Sequence, residues 1–527
     1  MRLDYLPREL VLHEIIPLLT AHDYTQLVLV CKSWYNLFIP HLYHHVMIPL
    51  NDYCGSGFGH IRSSPNLPVR RFTVALMENP TLALLIRYLE LYPSTCQGKW
   101  RDRPPLKPLA EETYRLSMLP YGEAKRKRRR QFHAWRRDLK LQSERQDWYR
   151  PYRCEDAWIA LLLMQVKNLE KFAMELPEER NHLNEEVQLK NSVHFERVIQ
   201  WASNPKLGIL THLTHISLTN GPPFWESGTA VNAVPLNRLV PYLRIPSLRK
   251  FYVVNPCDRS SFNMPKNRDL VLPLTHLDLE APNERLPNLP RLLERCPNLQ
   301  SFTLEKGELH SEHAHNYLDY SLLYQPLRHS RFSLRHLNMT YWSDRTWQDA
   351  EIPTPAFFGS LAEFPNLQTV HMRWSNLMPF LGKAAYDPST PLRELLPRSL
   401  QHLYIDDCLI QCSLSLCGEL ESLVVHFFET VPLLKMLYLR YAAKEQAPGQ
   451  GCINCVGGHW STWRKMIPNP ITDGRLLDLQ EKFRALDVDF RIIEREAIER
   501  EARVPFPGDG SIRKTWPWGK SGKIVGI

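Results

Sequence analysis

Long hydrophobic runs are missing from this 527-residue chain. No apolar stretch reaches the roughly 18 to 20 residues that cross a bilayer, so a membrane-spanning helix is excluded. The opening MRLDYLPREL has acidic residues early and no cleavage-site pattern, and no secretory signal is expected. Cysteine is sparse: 11 residues at irregular spacing. That pattern excludes a disulfide framework and suits reduced thiols, so cytoplasm, nucleus or both are the expected compartments. Catalytic signatures are also missing. There is no GxxxxGK[ST], HExxH or GxSxG, and no GxGxxG after a strand. An enzyme is not excluded by this, but the weight moves towards a non-catalytic binding protein with no cofactor and no metal.

The apolar fraction of 43% and a mean hydropathy of −0.35 describe a soluble globular chain with room for two or three domains. Proline is abundant, 42 residues against a usual share of about 5%. Many short elements joined by stiff loops are expected.

A recurring L-x-x-L-x-L unit fills the middle of the chain. It runs through Leu213, Ile216, Leu218; Leu248, Phe251, Val253; Leu274, Leu277, Leu279; Leu299, Phe302, Leu304; and Leu334, Leu337, Met339. It continues with Leu367, Val370, Met372; Leu400, Leu403, Ile405; and Leu420, Leu423, Val425. Leu169, Phe172, Met174 precede this run, and Phe483, Leu486, Val488 follow it. The x-L-x-L part predicts a short strand with alternate residues pointing inward. The period, mostly about 25 to 35 residues, points to leucine-rich repeats, in which each unit buries its apolar face only by stacking on a neighbour. Leu434, Leu437 and Leu439 also fit but lie too close behind Leu420, so the spacing predicts a helix there. DGRLLDLQEKFRALDVDF predicts a last helix and strand.

The first fifty residues pack many apolar side chains into a short helical span. Leu6, Leu10, Ile15, Ile16 and Leu19 fall at helical spacing after Pro7, a helix-start proline. Asp23 is the expected N-cap of a second helix carrying Leu27, Val30 and Trp34. A hairpin of roughly 45 residues cannot bury so much apolar surface on itself and needs a partner. The order Leu6-Pro7, Glu9-Leu10, an Ile-rich turn, Asp23, then Val30-Cys31-Lys32 and Trp34 resembles the F-box. Tyr24, where that family usually has Leu, and Pro17, which should kink the first helix, are departures. The phrases at Pro246–Leu248, Pro297–Leu299 and Pro365–Leu367, of the form PNL or PSL, are similar to those of F-box proteins of the leucine-rich-repeat kind. The resemblance is to a divergent, fungal-like member. The asparagine that the family places after the strand is absent; only Cys408 holds an equivalent position.

The resemblance implies an α/β fold: an N-terminal all-α F-box hairpin over residues 1–48, then an irregular leucine-rich-repeat solenoid over 158–495. Residues 49–157 form a linker or helical region between them, and 496–527 a tail in which Trp516 and Trp518 strap the last repeat. It implies a substrate receptor of an SCF-type ubiquitin ligase. Leu6, Pro7, Leu10, Ile15, Leu27, Val30, Cys31 and Trp34 would dock on Skp1, and through it on cullin, while the repeats hold a target protein. Ubiquitin transfer itself would be done by the other subunits. Aromatic residues dominate binding hot spots, so Phe224, Trp225, Trp342, Trp347 and Trp374 are candidate target anchors; each equally suits packing on neighbouring loops. A repeat scaffold that acts without ubiquitin transfer is the alternative.

From Lys99 to Arg153, 17 Lys/Arg face 7 Asp/Glu, and the whole chain carries only +9. The block Lys125, Arg126, Lys127, Arg128, Arg129 and Arg130 suits a solvated insertion, a nuclear localisation signal, or a basic arm for nucleic acid. Trp135, Trp148, Tyr149 and Tyr152 interleave with that charge, as base stacking would require, but a single basic block lacks the surrounding fold signature, so nucleic acid is not the expected partner. Cys452, Cys455 and His459 offer three zinc-ligand types. A fourth ligand would have to come from Cys408, Cys412 or Cys417, and a chance pair in a Gly-rich loop is the expected reading.

Overall fold

The computed structural model describes residues 11–49, 68–92, 135, 156–176, 193–220, 234–254, 256–257, 271–280, 286–306, 320–341, 357–379, 388–408, 413–441 and 470–492. These form two compact units. The described part of the first comprises residues up to 220 with 241–248; that of the second comprises 234–240 and 249–492. Both are α/β units built on parallel strands.

In the first unit, β1 (His45–Pro49), β2 (Tyr88–Tyr92), β3 (Lys171–Leu176) and β4 (His215–Asn220) pair in chain order, all parallel and in register. Helices α1 (Ala21–Leu27) and α2 (Lys32–His44) precede β1. Helices α3 (Pro68–Glu78), α4 (Asp156–Gln165) and α5 (Val193–Ala202) pack in sequence beside one another. Every residue from Ala157 to Leu163 of α4 is buried, the pattern of a helix enclosed on all sides.

The second unit repeats the plan eight times. Its strands are β5 (Lys250–Val254), β6 (His276–Glu280), β7 (Ser301–Lys306), β8 (His336–Tyr341), β9 (Thr369–Arg373), β10 (His402–Cys408), β11 (Met436–Tyr441) and β12 (Asp489–Ile492). Each pairs in parallel with the next. Strictly consecutive parallel pairing is the topology of a solenoid, since each strand must be followed by a crossover before the next can pair. The inward row Phe251, Leu277, Phe302, Leu337, Val370, Leu403, Leu437 is 0–2% exposed.

Backbone and side chains stitch the repeats together just before each strand. The carbonyls of Arg249, Thr275, Gln300, Arg335, Gln368 and Gln401 each accept two N–H groups from the following repeat. Where the phrase before the strand carries serine, its Oγ donates to the preceding repeat's leucine carbonyl. Ser247 reaches Leu213 at 2.8 Å, Ser333 reaches Leu299 at 2.9 Å and Ser399 reaches Leu367 at 2.8 Å. Asn366 Nδ2 donates to Phe332 O at 2.6 Å. At these three joints a serine before the strand bridges neighbouring repeats.

Several elements differ from expectation. Leu420, Leu423 and Val425 lie in helix α8 (Ser413–Val425), and Leu437 and Leu439 lie in strand β11; the two assignments are exchanged. The last helix, α9 (Pro470–Ala485), and last strand are present, but Phe483 belongs to the helix. Phe490 is buried in register with Leu437, and Ile492, in register with Leu439, is exposed. Two strands, β1 and β2, precede the stretch expected to hold the repeats. Among its described residues the N-terminal hairpin is four helical pieces: a π turn (Val11–Ile15), a 3-10 turn (Ile16–Leu18), α1 and α2. Pro17 lies in the 3-10 turn. Thr20, not Asp23, is the N-cap of α1; Asp23 is the third helical residue and completes a capping box with it.

Among the described residues, no helix is long and apolar enough to cross a membrane.

Candidate partner-binding surfaces

The N-terminal helices hold a small core and leave an apolar rim. Phe38 is 3% exposed and lies 6.2 Å from the Tyr24 ring and 6.0 Å from Trp34. The Tyr24 hydroxyl donates to Ile16 O at 2.7 Å and ties the 3-10 turn to α1. Helix α2 passes directly into β1. Tyr43 stacks on Phe72 of α3 at 6.2 Å, and His45 Nε2 lies 2.8 Å from Oε1 of the fully buried Glu90. Leu18 is nevertheless 82% exposed, Leu29 76%, Val30 61% and Tyr35 41%. Leu29, Val30 and the exposed Cys31 form the turn between α1 and α2. Ile15, Leu27 and Trp34 are half-buried. Leu6, Pro7 and Leu10 lie outside the described residues.

The second candidate is the alternate row of the second unit's strands, in which Asp278, Thr303, His371, Tyr404 and Tyr438 are buried, Tyr252 and Asn338 half-buried and Arg491 exposed. There the side chains are polar or aromatic: Tyr252, Asp278, Thr303, Asn338, His371, Tyr404, Tyr438 and Arg491 stand in register at the third strand position. Its C-terminal half is a ladder. The His371 ring is 5.5 Å from Tyr404, Tyr404 meets Tyr438 edge-on at 5.3 Å, and the Arg491 guanidinium lies 5.5 Å from the Tyr438 ring centre. His371 Nε2 lies 2.9 Å from Oδ2 of the buried Asp406, Tyr438 donates to Asp489 at 3.0 Å, and the Tyr252 hydroxyl bonds to Glu280. This row could not be read from leucine spacing, because the signal that finds a repeat lies in the inward residues. Counting the x positions between those leucines would have found it.

Trp374, an expected anchor, is 1% exposed at the start of a short helix behind β9. Its ring is core, so it presents nothing to a target. Phe224, Trp225, Trp342 and Trp347 lie outside the described residues, as do Lys125 to Arg130, Trp148, Tyr149 and Tyr152. Trp135 is described, and it is 1% exposed. Its Nε1 donates to Ala157 O at 3.2 Å and its ring stacks on His194 at 4.7 Å. The buried ring is not available to stack on a base. Cys452, Cys455, His459 and Cys412 lie outside the described residues. Cys417 is buried in α8, and burial raises its thiol pKa. Among the described residues no His, Cys, Asp and Glu cluster is arranged to hold a metal ion.

Residues 137–445 match the leucine-rich repeat domain family. No curated relative matches the chain.

Proposed function

Since this chain belongs to the leucine-rich repeat family, whose stacked strands make extended binding surfaces, we propose that it is the substrate receptor of an SCF-type ubiquitin ligase. The N-terminal helices dock on Skp1, and through it on cullin, and the repeats hold a target protein. The receptor is non-catalytic. It raises the local concentration of the target beside a ubiquitin-transfer machinery carried by other subunits.

One observation carries this reading: the exposure of Leu18, Leu29, Val30 and Tyr35 within the segment whose residue order resembles the F-box. Leu29 and Val30 share the turn between α1 and α2, and adjacent exposed apolar side chains mark an interaction site more than singly scattered ones do. The repeat scaffold acting without ubiquitin transfer draws support from the direct passage of α2 into β1, which gives the helices a role as the solenoid's leading edge. Reconstitution separates the two. Co-elution of the full chain with purified Skp1 and cullin on size exclusion, lost in a Leu29→Glu, Val30→Glu variant of unchanged helical content, supports the receptor. Failure of the folded wild-type chain to co-elute leaves the scaffold.

A further inference from the structure

In-register parallel pairing lines up the opening residues of the second unit's strands along one edge of its sheet. Two positions open each repeat, the residue before the strand and the strand's first. Through seven successive strands, from Arg249–Lys250 to Lys435–Met436, those positions hold no carboxylate. Arg249, Arg335 and Lys435 are exposed there, while His276, His336 and His402 are half-buried. Neither Arg335 nor Lys435 is ion-paired among the described residues. Burial first, then His402 and Arg335, hold His336 below the ordinary imidazole value; burial and then Lys435 do the same to His402.

Asp278 stands in mid-strand, and Asp489 opens the eighth strand in register with Met436, where Arg491 engages it; the other carboxylates lie towards the far end. Glu280, Glu305 and Asp406 are fifth-position residues, roughly 13 Å along the strand from the first. Asp406 is engaged by His371 and Glu280 by Tyr252. The opening edge of these seven strands therefore carries cations, and three of their fifth positions carry carboxylates.

We propose that this cationic edge is the docking track for an extended acidic segment of the target polypeptide, laid across the strands. The inference rests on the reading of the repeats as the target-binding surface and names the chemistry that surface takes. Arg249 and Arg335 are three strands apart, and so are Arg335 and Lys435. At about 4.8 Å per strand each interval is roughly 14 Å, which an extended peptide covers in about four residues. Carboxylates at every fourth residue match the cations. Nucleic acid matches less well, because its phosphates recur at about 3.4 Å per strand along the duplex, far more densely than these cations.

The test is fluorescence anisotropy of the full chain with a labelled peptide of about twelve residues, glutamate at every fourth position in a Ser/Thr/Gly background. The expected result is saturable binding that weakens about tenfold in Arg335→Glu, Lys435→Glu and falls as salt rises. A peptide with glutamine in place of glutamate should not bind. An Arg335→Gln, Lys435→Gln variant, expected to lose about threefold, carries the test if charge reversal impairs folding. No saturable binding, equal binding by both variants, or equal binding of the glutamine peptide overturns the proposal; so does a single-stranded oligonucleotide that binds this edge more tightly than the peptide. Skp1 binding by the same variants should be unchanged. Loss of Skp1 binding in the wild type with peptide binding intact would remove the ligase reading and leave the track standing.

Discussion

Single hydroxyls join neighbouring repeats at the step before each strand. Ser333 and Ser399 are half-buried and each donates to a leucine carbonyl of the preceding repeat. Removing either donor with alanine should cost about 1 kcal/mol, because the carbonyl loses a partner and the space admits no apolar gain. Urea unfolding midpoints would show it, and no change would mean that the backbone ladder alone sets the spacing. The histidines of the strand edge predict a pH dependence. Unfolded imidazole titrates near 6.5, whereas burial first, and then the like charges of His402 and Arg335 on His336 and of Lys435 on His402, holds both lower in the fold. The unfolded chain therefore takes up protons first. Their contribution is complete above the unfolded value and is lost as pH drops below it towards the folded values. The unfolding midpoint should fall between about pH 7.5 and pH 5.5, and a His336→Gln, His402→Gln variant should show a shallower fall; an identical slope would contradict the assignment. Trp135 is the third case. Its replacement by alanine should destabilise the first unit by about 3 to 5 kcal/mol, seen as earlier proteolysis of that unit. A fully stable variant would place the ring outside the core.

At the scale of elements, glycine shows where the second unit is tightly built and where it is not. Gly359 has φ of 137°, and a Cβ there would run into the Tyr324 ring. That ring packs edge-on against Phe358 at 5.4 Å, its hydroxyl donates to Ser360 O at 3.1 Å, and burial pushes its pKa up to about 12. Gly359→Ala should cost about 2 to 4 kcal/mol through strain and overpacking together. Gly418, inside α8, meets nothing within 4 Å, so Gly418→Ala should instead stabilise by about 0.5 to 1 kcal/mol through helix propensity. Calorimetry on the pair reads both signs, and a destabilised Gly418 variant would mean that α8 has a neighbour on that side.

The strands were legible wherever a leucine triplet stood alone, as at Leu299, Phe302, Leu304. They were not legible where a helix carried the same spacing. Leu416, Leu420 and Leu423 are buried on one face of α8, and helical i, i+3 and i+4 neighbours imitate the first half of L-x-x-L-x-L. Accepting Leu420 as a repeat made the genuine strand at Leu434–Leu439 look too close. The interval from Leu400 to Leu434 matches the period of the other repeats once Leu420 is set aside. Ile86, Leu89 and Leu91 fit the pattern too but sit in LALLIRYLELY, where almost every residue is apolar and no alternation stands out. The candidate surfaces divide in the same way. The apolar N-terminal turn was visible as residues without a core to join. The edge of cations was hidden, because its members are some tens of residues apart in sequence and become a row only through strand register.

At the scale of the whole molecule, the described residues hold two α/β units, and within each the apolar rows of successive strands are buried. The first unit exposes leucine and valine at a helical turn, and the second aligns polar side chains across parallel strands. An adaptor end and a target end on one chain require that the two can be impaired separately. The measurement that bears most directly on this is calorimetric titration of purified Skp1 into the full chain and into its Leu29→Glu, Val30→Glu variant. The account predicts a one-to-one complex with the wild-type chain and a loss of at least about tenfold in affinity for the variant, since two apolar side chains exposed in the free protein are replaced by charges that the complex would bury. A folded wild-type chain that gives no heat of binding and no complex, or a variant that binds as tightly as the wild type, would contradict it.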